Sequence, residues 1–232
     1  MRTAIPGGQA RRGGSAMNRR QVAARAAAPE TTKKEEEVLG VAADYFLRHG
    51  YRGASINAMA RESGISKESI YRYFNSKKAL FEAVIARELA QYQERLHSLD
   101  FEFESIALDV ALQRIGESIL AAVSTDRTLG LRRLIFQEAR ESHDIGDYYY
   151  EVGPKEAYSN LETLFELHRD RASLPPEKLA RYFVGMLLHY IMLVRQCGIQ
   201  GPLSKEEVSA RAAETTRDFL DAFMTGRRPV SA

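Results

Sequence analysis

Apolar residues recur at helical spacing along nearly the whole chain, and the two-residue alternation of half-buried strands is almost absent. The pattern predicts an all-α protein. Val38, Val41, Ala42, Tyr45 and Phe46 share one face of a first helix. That helix begins near Thr32, where Thr32-Lys33-Lys34-Glu35 has capping-box spacing, and stops at Gly50. A second helix starts behind Ser55, carries Ile56, Met59 and Ala60, and ends at Ser63-Gly64. A third runs from Lys67 to Phe74 behind Ser66, and a fourth, longer one from Ser76 to about His97. Further helices are expected near 104–123, 126–142, 154–171, 176–197 and 204–225. Breaks are expected at Thr125-Asp126, Gly146, Gly153-Pro154, Pro175-Pro176 and Gly198–Pro202.

The second and third helices are short and joined only by Gly64-Ile65-Ser66. So tight a connection, with a glycine free to take positive φ, sets two helices at a steep angle, as in a helix-turn-helix. Ile56, Met59, Ala60, Ile65, Ile70 and Phe74 have the spacing to close a small core against the first helix. Lys67, Glu68, Ser69, Tyr71, Arg72 and Tyr73 are then left facing outwards. Hydroxyls, phenols and cations at a helix start suit phosphate and base-edge contacts in a major groove. Lys77 and Lys78 begin the fourth helix against the usual dipole preference, which makes better sense with phosphates nearby.

Charge sharpens this picture. The net charge of +2 conceals 15 Lys/Arg against 7 Asp/Glu in residues 1–78, and 18 against 24 in the rest. A basic front on an acidic body points to a polyanionic partner for the front. Residues 1–30, rich in Arg and Ala, have no periodic apolar face and are expected to form a disordered basic tail, with Met17 a candidate for the true start. Composition, at 44% hydrophobic and 28% charged, is that of a globular protein able to bury a sizeable core. The longest uncharged run, Tyr182–Val194, is too short to cross a bilayer. With no secretory signal visible and a single cysteine, Cys197, a cytoplasmic location is expected.

Catalytic chemistry needs a constellation, and none is visible: no phosphate loop, no His-Glu-x-x-His, no paired cysteines, no Gly-x-Ser-x-Gly. No cofactor or metal is expected. His143 stands beside Glu141 and Asp144, without a second ligand at fixed helical spacing. Cys197 reads as a small buried hydrophobe or, alternatively, a redox-sensitive thiol.

The stretch SINAMARESGISKESIYRYFNSKKALFEAV, preceded by AADYFLRHGYRGA, resembles the N-terminal domain of the TetR/AcrR family of bacterial transcriptional regulators. The likeness covers roughly residues 32–85, and it implies roles for individual residues. Ser55 would hold a phosphate, with Asn57 beside it near the bases. Lys67 and Ser69 would read base edges, and Tyr71 and Tyr73 would meet phosphates or thymine methyls. Ser66 and Arg72 complete the DNA-binding set, and Lys77 takes the place of a phosphate-binding lysine. Farther on, LRRLIFQEARESHDIGDYYYEVGP resembles the AefR-like subgroup.

The resemblance implies a homodimeric regulator of a double-stranded DNA operator, a repressor released by an unknown small-molecule effector. An effector-independent or architectural DNA-binding protein is the alternative. Residues 31–80 would form the DNA-binding domain and 81–226 the ligand-binding and dimerisation domain. Candidate pocket residues are His143, Tyr148, Tyr149 and His189. The tyrosines are equally readable as an exposed loop, and His189 as a core histidine. Phe183 and Leu187 on one late helix, and Ala212, Thr215 and Phe219 on the next, form apolar stripes. Such stripes fit either packing within one chain or a four-helix interface between two copies, and the resemblance implies the latter.

Overall fold

Thr32 starts the first helix as its spacing predicts, its Oγ1 accepting the Glu35 N–H at 3.2 Å. The computed structural model describes residues 32–97 and 106–224, and every regular element among them is helical. The four helices of the front are α1 (Lys33–Gly53), α2 (Ile56–Ser63), α3 (Lys67–Tyr73) and α4 (Lys77–His97). They are followed by α5 (Leu108–Ala122), α6 (Asp126–Ala139), α7 (His143–Val152) and α8 (Pro154–Leu167). A 3₁₀ turn at Arg169–Arg171 leads to α9 (Pro176–Gln196) and α10 (Lys205–Phe223). The basic tail expected over residues 1–30 lies outside the described residues.

Gly50 interrupts α1 at φ 70°, a left-handed conformation that costs glycine little, and the last turn continues beyond the kink. Gly64, at φ 71°, likewise ends α2 and turns the chain into α3. Ile56, Met59, Ile65, Ile70 and Phe74 are buried, so the expected core closes. That core does not stop at residue 80. Leu80, Phe81, Val84 and Ile85 on α4 belong to it, and so do Leu131 and Ile135 on α6 and Ile145, Tyr148 and Val152 on α7. The front is therefore packed onto the middle of the chain rather than tethered to it.

A second core is formed by α5, α8, α9 and α10. Phe183, Leu187, Ala212 and Phe219 are wholly enclosed in it, and Thr215 is nearly so. The Phe219 ring lies 5.2 Å from Phe183 and 5.4 Å from Phe165. The residues expected at a dimer interface are thus internal to the protomer. The reason is geometric: α10 packs along α5, which the sequence pattern does not reveal, and consumes the stripe that seemed free.

The tyrosine-rich segment also differs from its expectation. Gly146 does not break the chain but sits within α7. A Cβ at that position would stand 2.9 Å from the Ala139 Cβ, so the glycine serves close approach of α6 and α7. Arg195, almost fully buried, donates to Val123 O at 2.7 Å and to Asp126 at 2.8 Å. It fastens the end of α9 to the α5–α6 junction. Cys197, beyond it, is exposed rather than buried.

Candidate nucleic-acid interface and effector cavity

α3 is presented by its caps. Ser66 Oγ accepts the Ser69 N–H at 3.1 Å and donates to Ser69 Oγ at 2.9 Å. Lys67 and Arg72 are exposed, as are Ser55 and Asn57 at the start of α2. Ser55 makes no side-chain cap, which leaves its hydroxyl available. Tyr71 is 42% exposed, and the Lys67 Nζ lies 5.5 Å from its ring centroid. Tyr73 is half-buried, and its hydroxyl accepts from Thr32 Oγ1 at 3.3 Å. Ser55, Asn57, Ser66, Lys67, Tyr71 and Arg72 are therefore exposed on α2, the turn and α3, with Ser69 and Tyr73 partly buried. Donors, an aromatic face and two cations on so short a segment can meet both phosphate oxygens and base edges.

The two lysines at the start of α4 are placed differently from the expectation. Lys77 Nζ donates to Tyr51 O at 2.9 Å, Ala54 O at 3.1 Å and Arg52 O at 3.4 Å. It also lies 4.6 Å from the centre of the Tyr51 ring. An ammonium has three protons, and all three are used on carbonyls at and just beyond the kinked end of α1. Lys77 is a fastener between α1 and α4, not a free cation. Lys78 pairs with Asp144 at 2.6 Å, joining α4 to α7. That hydrogen bond raises the Lys78 pKa and lowers that of Asp144. Arg52 adds a parallel tie to Glu138 and Glu141, and Arg127 joins Asp44 and Glu88. α1 and α4, which carry α2 and α3 between them, are thereby linked to α6 and the start of α7 by several ion pairs.

Behind these ties lies a cavity of about 130 Å³. Its walls come from α4 (Ile85, Leu89), α5 (Ile119), α6 (Leu129), α8 (Ala157) and α9 (Val184), among others. Five polar side chains also reach it: Glu88, Thr128, Arg132, Tyr149 and Tyr158. Burial raises the pKa of both phenols, with the Arg132 charge acting against it in each case. Both hydroxyls therefore remain protonated donors at neutral pH.

Of the candidate pocket residues, the structure brings only Tyr149 to the cavity. Tyr148, its neighbour, points into the front core because successive helical positions diverge by about 100°. His143 is exposed at the start of α7, with Nδ1 3.3 Å from Ala139 O, and His189 is exposed on α9. Arg132, Glu88 and Tyr158 escaped the sequence reading. A signal existed for Arg132: it stands three residues after Leu129 and three before Ile135, a charge on an otherwise apolar helical face.

Among the described residues no helix is long and apolar enough to cross a membrane, and no three His, Cys, Asp or Glu gather as metal ligands. Residues 38–84 match the family described as bacterial regulatory proteins, tetR family. Residues 110–225, half of the chain, match the AefR-like transcriptional repressor C-terminal domain. The uncharacterized HTH-type transcriptional regulator YdgC of Bacillus subtilis is 26% identical over 179 residues, covering 72% of this chain and 84% of that one. The HTH-type transcriptional regulator UidR of Escherichia coli is 24% identical over 130 residues, 47% of this chain and 66% of its own length. A TetR-family transcriptional regulator from Mesorhizobium loti superposes with a TM-score of 0.70 at 25% identity, over 85% of this chain and 100% of that one. A reading head of matching sequence stands before a matching repressor domain, and the chain belongs to the TetR family of bacterial transcriptional regulators, a family of DNA-binding proteins and not of enzymes.

Proposed function

We propose that the protein is a cytoplasmic repressor that binds a palindromic operator as a homodimer and leaves it when a small molecule fills the cavity. Residues 31–80 act as the DNA-binding domain and residues 81–226 as the ligand-binding and dimerisation domain. The observation that carries this reading is the position of the cavity. It is walled by α4, whose first turn holds the end of α1, and by α9, whose outer face exposes a stripe of large apolar and aromatic side chains. An occupant that shifts α4 against α9 would change the separation of two reading heads. Such an effector acts only through unequal affinity for the two arrangements.

Dimerisation is supported by that outer face. Tyr182, Met186, Tyr190 and Leu193 are 47%, 38%, 58% and 52% exposed, at helical spacing on α9. Gly185, also exposed, permits close approach of a second helix. Two copies related by a twofold axis would bury this stripe against itself. An architectural DNA binder has no use for a largely apolar cavity between its helices, which favours the effector-controlled reading.

Selection from random DNA, followed by binding at several salt concentrations, tests the function. The expected result is an inverted repeat with half-sites about 34 Å apart or a multiple of that spacing. Affinity should fall steeply as salt rises, since phosphate contacts release counterions. Selection that returned no inverted repeat would overturn the dimeric-operator reading.

A further inference from the structure

The cavity contains two groups of opposite formal charge, and their situations are unequal. Glu88 is neutralised from outside the cavity: its Oε1 accepts from Arg87 Nη1 at 3.1 Å and from Arg127 Nε at 3.0 Å. Arg132 has no such partner. Its guanidinium rests 5.1 Å from the centre of the Phe136 ring, and its Nε is buried without a hydrogen-bond acceptor. Among the described residues no carboxylate pairs with it. Burying a cation's donor without an acceptor is costly. What sets Arg132 apart from Arg195 and Arg211, whose Nε atoms are also buried without a partner, is that it lines a cavity from which an acceptor can reach it.

The surroundings define what would arrive. Tyr149 and Tyr158 line the same cavity, and their protonated phenols are further donors. Apart from Thr128, the rest of the wall is apolar. Its volume of about 130 Å³ is close to the 150 Å³ or so of an apolar cavity that takes up benzene. One ring or a short branched chain fits within that volume.

We propose that the cavity binds a small organic monocarboxylate, its apolar body among Ile85, Ile119 and Leu188 and its carboxylate accepting from Arg132. Tyr149 and Tyr158 supply the remaining hydrogen bonds. The inference rests on the cavity being the effector site, and it assigns that site its ligand class. Charge-assisted hydrogen bonds are about twice as strong as neutral ones, so the acid is distinguished from an isosteric amide.

The test is calorimetric titration of the full chain with benzoate, phenylacetate, 3-phenylpropionate and hexanoate, each beside its primary amide. At least one acid should bind ten times or more tightly than its amide. Arg132→Gln should abolish that preference while leaving the melting temperature without ligand little changed. Arg132→Lys, which keeps the charge, should retain part of it and guards against a folding defect in the first variant. Failure of all four acids to exceed their amides overturns the proposal, as does an undiminished preference in Arg132→Gln. Operator release is measured separately. An acid that binds through Arg132 without releasing operator leaves the carboxylate site standing and defeats the effector reading. Release by an amide as readily as by its acid does the reverse.

Discussion

Lys77 offers the sharpest test, because the sequence pattern and the structure give it different work. Replacing it with methionine keeps an aliphatic stem of similar length and removes the ammonium. The bonds to Tyr51 O and Ala54 O are partly buried, whereas the longer one to Arg52 O is exposed and readily replaced by water. Two such bonds contribute about 1 kcal/mol each after discounting for their partial exposure. The ammonium over the Tyr51 ring adds about 0.5–1 kcal/mol. Lys77→Met should therefore cost about 2–3 kcal/mol. For a chain of this size that is a fall in Tm of about 4–12 °C, read by thermal denaturation without DNA. Operator affinity should also drop, because one tie that orients α1 against α4 is lost, but the dependence on salt should keep its slope. A phosphate-bound lysine predicts the opposite pair of results. Tm would be unchanged, and the log–log salt slope would become shallower by about 0.9 per lost contact. That combination would refute the fastener assignment.

Tyr190→Glu, on the exposed face of α9, should give a folded monomer in sedimentation with weakened operator binding; an undisturbed dimer would place the interface elsewhere. Phe219→Ala should instead destabilise the protomer itself by about 3–5 kcal/mol in urea titrations, since its ring is wholly enclosed. Gly146→Ala should cost about 1–3 kcal/mol, because the new methyl meets the rigid Ala139 Cβ and pushes α6 from α7. Asp144 is held below the ordinary aspartate value by Lys78, so the stabilisation it contributes is present above about pH 4 and disappears as pH falls through its lowered pKa. Asp144→Asn should accordingly flatten the acid limb of a stability–pH profile and leave the neutral region little changed in shape.

Short-range order in the chain was enough to specify the reading head. Thr32, Gly64 and Ser66 act within three or four residues of themselves, through caps and a positive φ, so they mark where α1 begins, where α2 ends and where α3 begins. The apolar period then identifies which side of each helix is buried, and by elimination which side carries Lys67, Tyr71 and Arg72. Contacts between distant helices follow a different rule. An amphipathic stripe says that a face must be covered but not by what, and so the stripe bearing Phe219 served equally as interface or core until α5 was seen to lie against α10. The same uncertainty of partner let Lys77 pass for a phosphate contact, because the carbonyls it binds lie 23 to 26 residues away. It let Gly146 pass for a break, because its neighbour Ala139 sits on the preceding helix. The cavity is the extreme case. Six helices wall it, from Ile85 on α4 to Leu188 on α9, and an empty space leaves no period in the chain. Sequence determined the helices and their faces, since those depend on local geometry; only tertiary packing decided which faces meet and where they fail to meet.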